Sequence, residues 1–268
     1  MEVLALKYEK LVERLRAKGA VIVAFSGGLD STFLSYAAAH ALGSNAWAVT
    51  VVSPLLSKKE FDDAQRFADA IGIRHVCIHE PEIDPELAEN PKDRCYLCKK
   101  REFGCILEYA KECGVHTVVD GSNLDDLNDY RPGQRALAEL GIESPLHDLG
   151  FTKADIRALS RQFNMPSWDK PAFACLASRI PYGETIDKEK LKRIEMAEEV
   201  LRRAGFRQFR VRCHRDLARI EVAPEERRLF FNEERLDSLA RDIKACGFVY
   251  TAFELEGYSL GSMNRQLL

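Results

Sequence analysis

Three groups of residues have types and spacings that could do chemistry. The first is Ser26-Gly27-Gly28-Leu29-Asp30-Ser31-Thr32, which follows the apolar run Val21-Ile22-Val23 and leads into Phe33-Leu34-Ser35-Tyr36-Ala37. The pattern reads as strand, tight glycine turn and helix start. Paired glycines let backbone N–H groups close on an anion without Cβ interference, and a new helix adds unpaired donors and the positive end of its dipole. A phosphate or pyrophosphate suits that geometry. Glycines alone would describe any strand-to-helix turn, but the serine before them and Asp-Ser after them narrow the match. No Gly-Lys-Ser/Thr closes the motif, and the glycines lack the spacing of a dinucleotide fold.

The second group is a set of thiols. Cys95 and Cys98 stand three residues apart, a spacing that serves either metal ligation or a redox pair. No second Cys-x-x-Cys or suitably spaced His pair completes a four-ligand zinc site. Cys175 lies in Pro171-Ala172-Phe173-Ala174-Cys175-Leu176-Ala177-Ser178-Arg179, a segment that reads as a loop. Three thiolates can hold an iron-sulfur cube and leave one iron open to an outside ligand. A reactive thiol needs a cationic neighbour or a metal, and Arg94, Lys99 and Arg179 are close in sequence. Cys105, seven residues past Cys98 on the same helical face, reads as core, with a substitute ligand as the lesser alternative; Cys77, Cys113, Cys213 and Cys246 read as small hydrophobes, and the six histidines form no ligand spacing.

The third group is cationic. Arg210 and Arg212 alternate along a strand, so both point to one face, where with Arg179 they could bind phosphate in fork geometry; a solvated outer face is the competing reading. Gly121-Ser122-Asn123-Leu124-Asp125-Asp126 leaves another expected strand and is either a polar turn or a set of nucleotide and metal contacts.

Elements must bring these groups together. Apolar periodicity and turn signals predict helices over 2–18, 57–72, 96–113, 152–163, 187–204 and 234–246, and strands over 21–23, 47–52, 73–78, 115–119, 209–213, 218–222 and 248–253. Three prolines make 79–94 a loop. The first half alternates strand and helix, so the expected fold class is α/β, a parallel twisted sheet with helices on both faces and ligands beyond the strands' carboxyl ends. Composition changes near Gly183, giving an expected domain of 1–182 and a smaller α+β domain of 183–268. The chain has 268 residues, 46% apolar and 30% charged, enough for a sizeable core. Its net charge of −3 and lack of a basic tail argue against nucleic acid and anionic membrane as partners. With no long apolar run and eight cysteines of reduced type, a cytoplasmic location is expected.

Ser-Gly-Gly-Leu-Asp-Ser at 26–31 resembles the PP-loop of the ATP pyrophosphatases, the adenine nucleotide α-hydrolase-like superfamily of GMP synthetase, NAD synthetase and the tRNA thiolation enzymes. Those enzymes cut ATP between its α- and β-phosphates. The resemblance implies that Ser26, Gly27, Gly28, Ser31 and Thr32 hold pyrophosphate, that Asp30 helps hold Mg²⁺, and that Asn123 and Asp125 contact nucleotide. Gly121–Asp126, Asp129-Tyr130-Arg131-Pro132-Gly133, Trp168 through Gly183, Arg210-Val211-Arg212 and Ala218–Val222 extend the likeness to LarE, the ATP-dependent sulfur transferases of nickel-pincer cofactor synthesis. That family adenylates a carboxylate of a pyridinium dicarboxylate mononucleotide, and sulfur displaces AMP. One version sacrifices the cysteine at position 175; another holds a 4Fe-4S cluster that carries extra sulfide. The presence of Cys95, Cys98 and Cys175 favours the cluster version. The resemblance also implies Arg179, Arg210 and Arg212 at the substrate phosphate and a homo-oligomer. Arg131 pairs with Asp129 or binds substrate, and Glu199 is either an acceptor-site carboxylate or a surface acid.

Two other functions share parts of the pattern. A tRNA thiolation enzyme also combines a PP-loop with three cysteines, and an ATP-binding iron-sulfur or zinc sensor would hold nucleotide without cleaving it. Salt-sensitive tRNA retention marks the former, and failure to release pyrophosphate marks the latter.

Overall fold

A computed structural model describes residues 2–128, 132–171, 174–259 and 261–263. In chain order the elements are α1 (Glu2–Arg16), β1 (Val21–Ala24), α2 (Leu29–Leu42), β2 (Ala46–Val52), α3 (Lys58–Ile71), β3 (Arg74–His79), α4 (Pro85–Ala88), α5 (Arg94–Glu112), β4 (Val118–Val119), α6 (Pro132–Glu139), α7 (Pro145–Asp148), α8 (Lys153–Gln162), α9 (Lys188–Arg203), β5 (Phe209–His214), β6 (Leu217–Val222), α10 (Glu233–Ala245) and β7 (Tyr250–Phe253). Contacts gather them into two compact units, 1–81 with 93–173 and 82–92 with 174–268. Gly183, where composition changes, donates its N–H to Asn90 O at 3.0 Å within the second unit.

The first unit is a parallel sheet in the order β3-β2-β1-β4. Alternation along β1 splits its core: Val21 and Val23 face Leu11, Leu15, Phe33, Leu34, Ile156 and Leu159, while Ile22 faces Phe103 and Ile106. Helices α1, α2 and α8 therefore cover one face and α5 the other, and the central strands β1 and β4 read as apolar runs because both of their faces are covered, whereas the edge strand β3 is only half-buried. This is the expected α/β class. The order reverses between β1 and β4, and a topological switch point of that kind opens a crevice at the strands' carboxyl ends. The glycine loop follows β1 there.

The second unit pairs β5 with β6 as an antiparallel hairpin and β6 with β7 in parallel. Its long helix α9 starts at Asp187, whose carboxylate accepts the Lys190 N–H, and packs Leu191, Ile194 and Leu201 inside.

Three local expectations change. Strand β4 is shorter than 115–119 because Gly114, at φ +67°, turns the end of α5 and the Val115 N–H bonds back to Ala110 O, a left-handed cap that uses the strand's first residue. The loop 79–94 contains α4, with Asp84 capping it and Pro85 at its first position. The Ser57–Glu60 capping box is half formed: Ser57 accepts the Glu60 N–H, but the Glu60 carboxylate pairs with Lys170.

The exit of β4 lies against the first turn of α2. A Cβ on Gly121 would sit 2.9 Å from Ser31 N and 3.1 Å from Ser31 Cα, both backbone atoms that cannot rotate aside. Gly121→Ala is expected to destabilise the protein by roughly 2 kcal/mol through overpacking and to impair ATP use. Chemical denaturation and pyrophosphate release check it; a variant unchanged in both would show that the two segments are free to separate.

Candidate active site

Helices α3, α8, α9 and α10 carry side-chain caps from Ser57, Thr152, Asp187 and Asn232, whereas α2 begins at Gly28 with no side-chain cap. A helix start without a side-chain cap can direct N–H groups at an anion. Ahead of α2, Gly27 adopts φ +66°, and a Cβ there would meet Ala64 Cα at 2.7 Å, so only glycine fits. Ser31 Oγ lies 3.3 Å from Gly28 O, 3.2 Å from Ser26 Oγ and 3.3 Å from Ser26 N, which folds the serines into one turn. Ser26 is exposed, Asp30 half-buried in the first helical turn, and Thr32 buried with its hydroxyl lacking a partner among the described residues.

Beside this loop, Asp120 accepts from Ser122 Oγ and Ser144 Oγ, both at 2.5 Å. Asn123 is fully buried: its N–H donates to Asp126 Oδ2 at 3.1 Å, its Oδ1 accepts the Asp125 N–H at 3.0 Å, and its Nδ2 is unpartnered among the described residues. The Asp125 carboxylate accepts the Lys153 N–H at 2.7 Å, bonding it to the start of α8. The turn is self-bonded and presents a spare buried amide donor. Arg131 and Asp129 lie outside the described residues.

Cys95 and Cys98 occupy the first turn of α5, an i, i+3 pair on one helix face, Cys95 exposed and Cys98 half-buried. Gly133 of α6 packs against the same helical turn; a Cβ there would stand 3.0 Å from Lys99 Cγ and 3.5 Å from Cys95 O. Cys105 is half-buried, and its thiol is pushed up by burial and by Glu80. Burial likewise raises Cys77, Cys213 and Cys246, keeping them protonated.

In the second unit Cys175 is exposed and opens the short turn Leu176–Arg179. Arg179, 1% exposed, is held through all three of its nitrogens. Its Nε and Nη2 donate to the Glu198 carboxylate at 2.8 and 3.0 Å, and its Nη1 donates to Ala174 O at 2.5 Å, Cys175 O at 2.9 Å and Ser178 Oγ at 3.0 Å. Arg179 thus braces the backbone of the cysteine turn. Arg212 donates to Ser178 O at 2.9 Å, Glu221 Oε2 at 2.7 Å and Ser262 Oγ at 3.0 Å. Arg210, also buried, lies over the Tyr258 ring at 4.8 Å, and burial together with the Arg179 charge pushes its guanidinium down to about 10. So Arg210 and Arg212 are not on a solvated face. Glu199 is a surface acid paired with Arg202 and Arg203.

Sequence reading missed Glu198 and Glu221, the buried counter-ions of this arginine cluster, and Lys170 and Thr50, which hold carbonyls of the glycine loop from behind. Glu198 had a signal: it stands with Leu191, Ile194 and Leu201 on the apolar face of α9, where a charge needs a partner. Among the described residues no group of three or more His, Cys, Asp or Glu side chains is gathered to hold a metal ion. Two sulfurs on α5 supply part of a cluster's ligand set, and Cys175 belongs to the other unit.

The asparagine synthase family profile matches residues 5–95, which include the glycine loop. An uncharacterised protein of Synechocystis sp. is 43% identical, covering 97% of this chain and 98% of its own. The pyridinium-3,5-bisthiocarboxylic acid mononucleotide synthase of Lactiplantibacillus plantarum is 37% identical over 100% of this chain and 97% of its own. The chain belongs to the LarE family. It is an ATP-dependent sulfur transferase with a PP-loop. An NH(3)-dependent NAD(+) synthetase of Pyrococcus furiosus, 35% identical over 47% of this chain and 53% of its own, shares a shorter stretch.

For this LarE-family chain the Arg179–Glu198 pair sets a pH dependence. Burial alone would raise the Glu198 carboxyl, but the charge and hydrogen bonds of Arg179 outweigh it and hold the group below its usual 4.5. A depressed value means stabilisation that is present above the unfolded value and lost as pH falls through the folded one. Glu198→Gln is expected to cost about 3 kcal/mol at pH 7, with the gap from wild type closing as pH drops below about 4.5. Urea unfolding at a series of pH values checks it, and a gap independent of pH would contradict the pairing.

Proposed function

We propose that this enzyme adenylates a carboxylate of a pyridinium dicarboxylate mononucleotide and exchanges the AMP for sulfur, giving a thiocarboxylate for nickel-pincer cofactor synthesis. The observation that carries this reading is the full-length likeness to the Lactiplantibacillus plantarum enzyme, whose name states a bisthiocarboxylic product. A carboxylate oxygen attacks the α-phosphorus, the bond to the β-phosphate breaks and pyrophosphate leaves. A sulfur nucleophile then attacks the acyl carbon, and AMP departs with the carboxyl oxygen.

Ser26, Gly27, Gly28, Ser31 and Thr32 hold the pyrophosphate against the uncapped start of α2. Mg²⁺ arrives with ATP and needs only one or two carboxylates beside phosphate oxygens, a role for Asp30. Asn123 brings its spare amide donor to the nucleotide and Asp125 sets the turn beside it. Arg210 and Arg212 take the substrate phosphate, with Arg179 adding positive charge while it holds the Cys175 turn. Cys175 handles the sulfur. A 4Fe-4S cluster on Cys95, Cys98 and Cys175 would leave one iron open to sulfide from a sulfur donor. The second unit contributes substrate binding and the contacts of a homo-oligomer, and ATP-dependent chemistry on a free mononucleotide fits the cytoplasm.

The test is anaerobic purification with iron and sulfide analysis. Wild-type protein is expected to carry iron and sulfide, and Cys95→Ala to lose both. Cys175→Ser is expected to abolish thiocarboxylate formation while keeping substrate-dependent ATP–pyrophosphate exchange. Iron-free protein after reconstitution, with Cys175 losing its sulfur in a mass spectrum, would replace the cluster with a sacrificial cysteine. Salt-sensitive retention and thiolation of tRNA would replace the substrate.

A further inference from the structure

The glycine loop is held from behind by groups outside its own motif. Thr50 Oγ1 donates to Phe25 O at 2.6 Å. That uses the hydroxyl's one proton, so at the 2.8 Å contact between Thr50 Oγ1 and His75 Nε2 the imidazole is the donor. Two residues on, Lys170 Nζ donates to Gly27 O at 3.0 Å. Lys170 is 9% exposed, and its ammonium also meets Glu60 Oε2 at 3.0 Å and Asp63 Oδ2 at 3.2 Å while lying 5.3 Å from the centre of the Phe67 ring. Three N–H bonds meet three oxygens, so the ammonium has no donor to spare. Asp63 is shared with Lys59 at 2.5 Å and Arg66 at 2.7 Å, which leaves Glu60 as the carboxylate most dependent on Lys170.

The consequence follows from peptide geometry. In a trans peptide the C=O and the following N–H point in opposite directions. Fixing Gly27 O on the buried side therefore aims the Gly28 N–H at the open side, where its contact is the 3.3 Å bond to Ser26 Oγ. The contact between Gly27 and Ala64 brings the loop close to α3, but it does not choose which way the peptide between Gly27 and Gly28 faces. Lys170 does choose it, and it places a buried positive charge behind an anion site.

We propose that Lys170 is a positioning residue for ATP cleavage: its ammonium, seated between Glu60 and Asp63, locks the Gly27–Gly28 peptide so that the Gly28 N–H faces the pyrophosphate. This rests on the proposed use of the loop for pyrophosphate. Glu60 and Asp63 orient the ammonium and keep it from collapsing onto the ligand.

The test is calorimetric titration of the full chain with magnesium pyrophosphate and, separately, with AMP. K170M removes the donor, and K170M/E60Q removes it without stranding a buried carboxylate. Both are expected to weaken pyrophosphate by roughly tenfold, the scale of one charge-assisted hydrogen bond, and to leave AMP affinity within about twofold of wild type. K170R keeps the charge but cannot place a donor at the same point, so it is expected to lose several-fold on pyrophosphate alone. It carries the test should K170M/E60Q not fold. Wild-type pyrophosphate affinity in folded K170M/E60Q, or in K170R, overturns the proposal, and so does an equal loss for AMP. Wild-type protein that fails to bind pyrophosphate would overturn the reading of the loop itself.

Discussion

Backbone meeting backbone at van der Waals limits is the constraint on which the nucleotide half of this protein depends. Gly27 lies against Ala64 of α3, and Gly121 lies against Ser31 of α2, each with no space for a methyl group. Those two contacts bring the end of β1, the start of α2 and the exit of β4 together at the switch point of the sheet. The start of α2, which has no side-chain cap, then lies at the crevice that the strand order creates. Hydrophobic burial on both faces of the sheet makes the arrangement stiff, because displacing β1 would disturb two cores at once.

The second unit solves a different problem with buried charge. Arg179, Arg210 and Arg212 are all inside, and Glu198 and Glu221 supply the carboxylates that make this tolerable. Such a cluster is a poor source of net stability, because desolvation offsets much of the attraction. Its value is geometric. One guanidinium bridges the carbonyls of Ala174 and Cys175 to a carboxylate on α9, and another ties Ser178 to β6. The exposed thiol of Cys175 therefore sits on a turn whose backbone is bonded at several points. The depressed value of Arg210 reflects burial first and the neighbouring Arg179 charge second, and an anionic group would relieve both.

Much of this was legible in the residues. The strand-turn-helix reading of 21–37, the parallel α/β class, and the Ser57, Thr152 and Asp187 starts all follow from periodicity and capping, and the structure has them. The parts that were not legible share a physical cause: they depend on partners distant in sequence. Nothing in Pro171 or its neighbours says that Lys170 reaches a carbonyl at residue 27, and nothing in α9 names Arg179 as the partner of Glu198. Short helices such as Pro85–Ala88 and Pro145–Asp148 were hidden because proline reads as a breaker even when it opens a helix. Val115 was taken from its strand by a left-handed cap that periodicity cannot register.

ATP-dependent sulfur transfer is tested most directly by product stoichiometry. Anaerobic protein would be given ATP, a sulfide source and the pyridinium dicarboxylate mononucleotide, and the mononucleotide followed by mass spectrometry beside the nucleotide products. ATP-dependent sulfur transfer predicts exchange of one carboxyl oxygen for sulfur with one AMP and one pyrophosphate released for each sulfur gained. Formation of ADP and phosphate, or AMP released with the mononucleotide left unchanged, would contradict it.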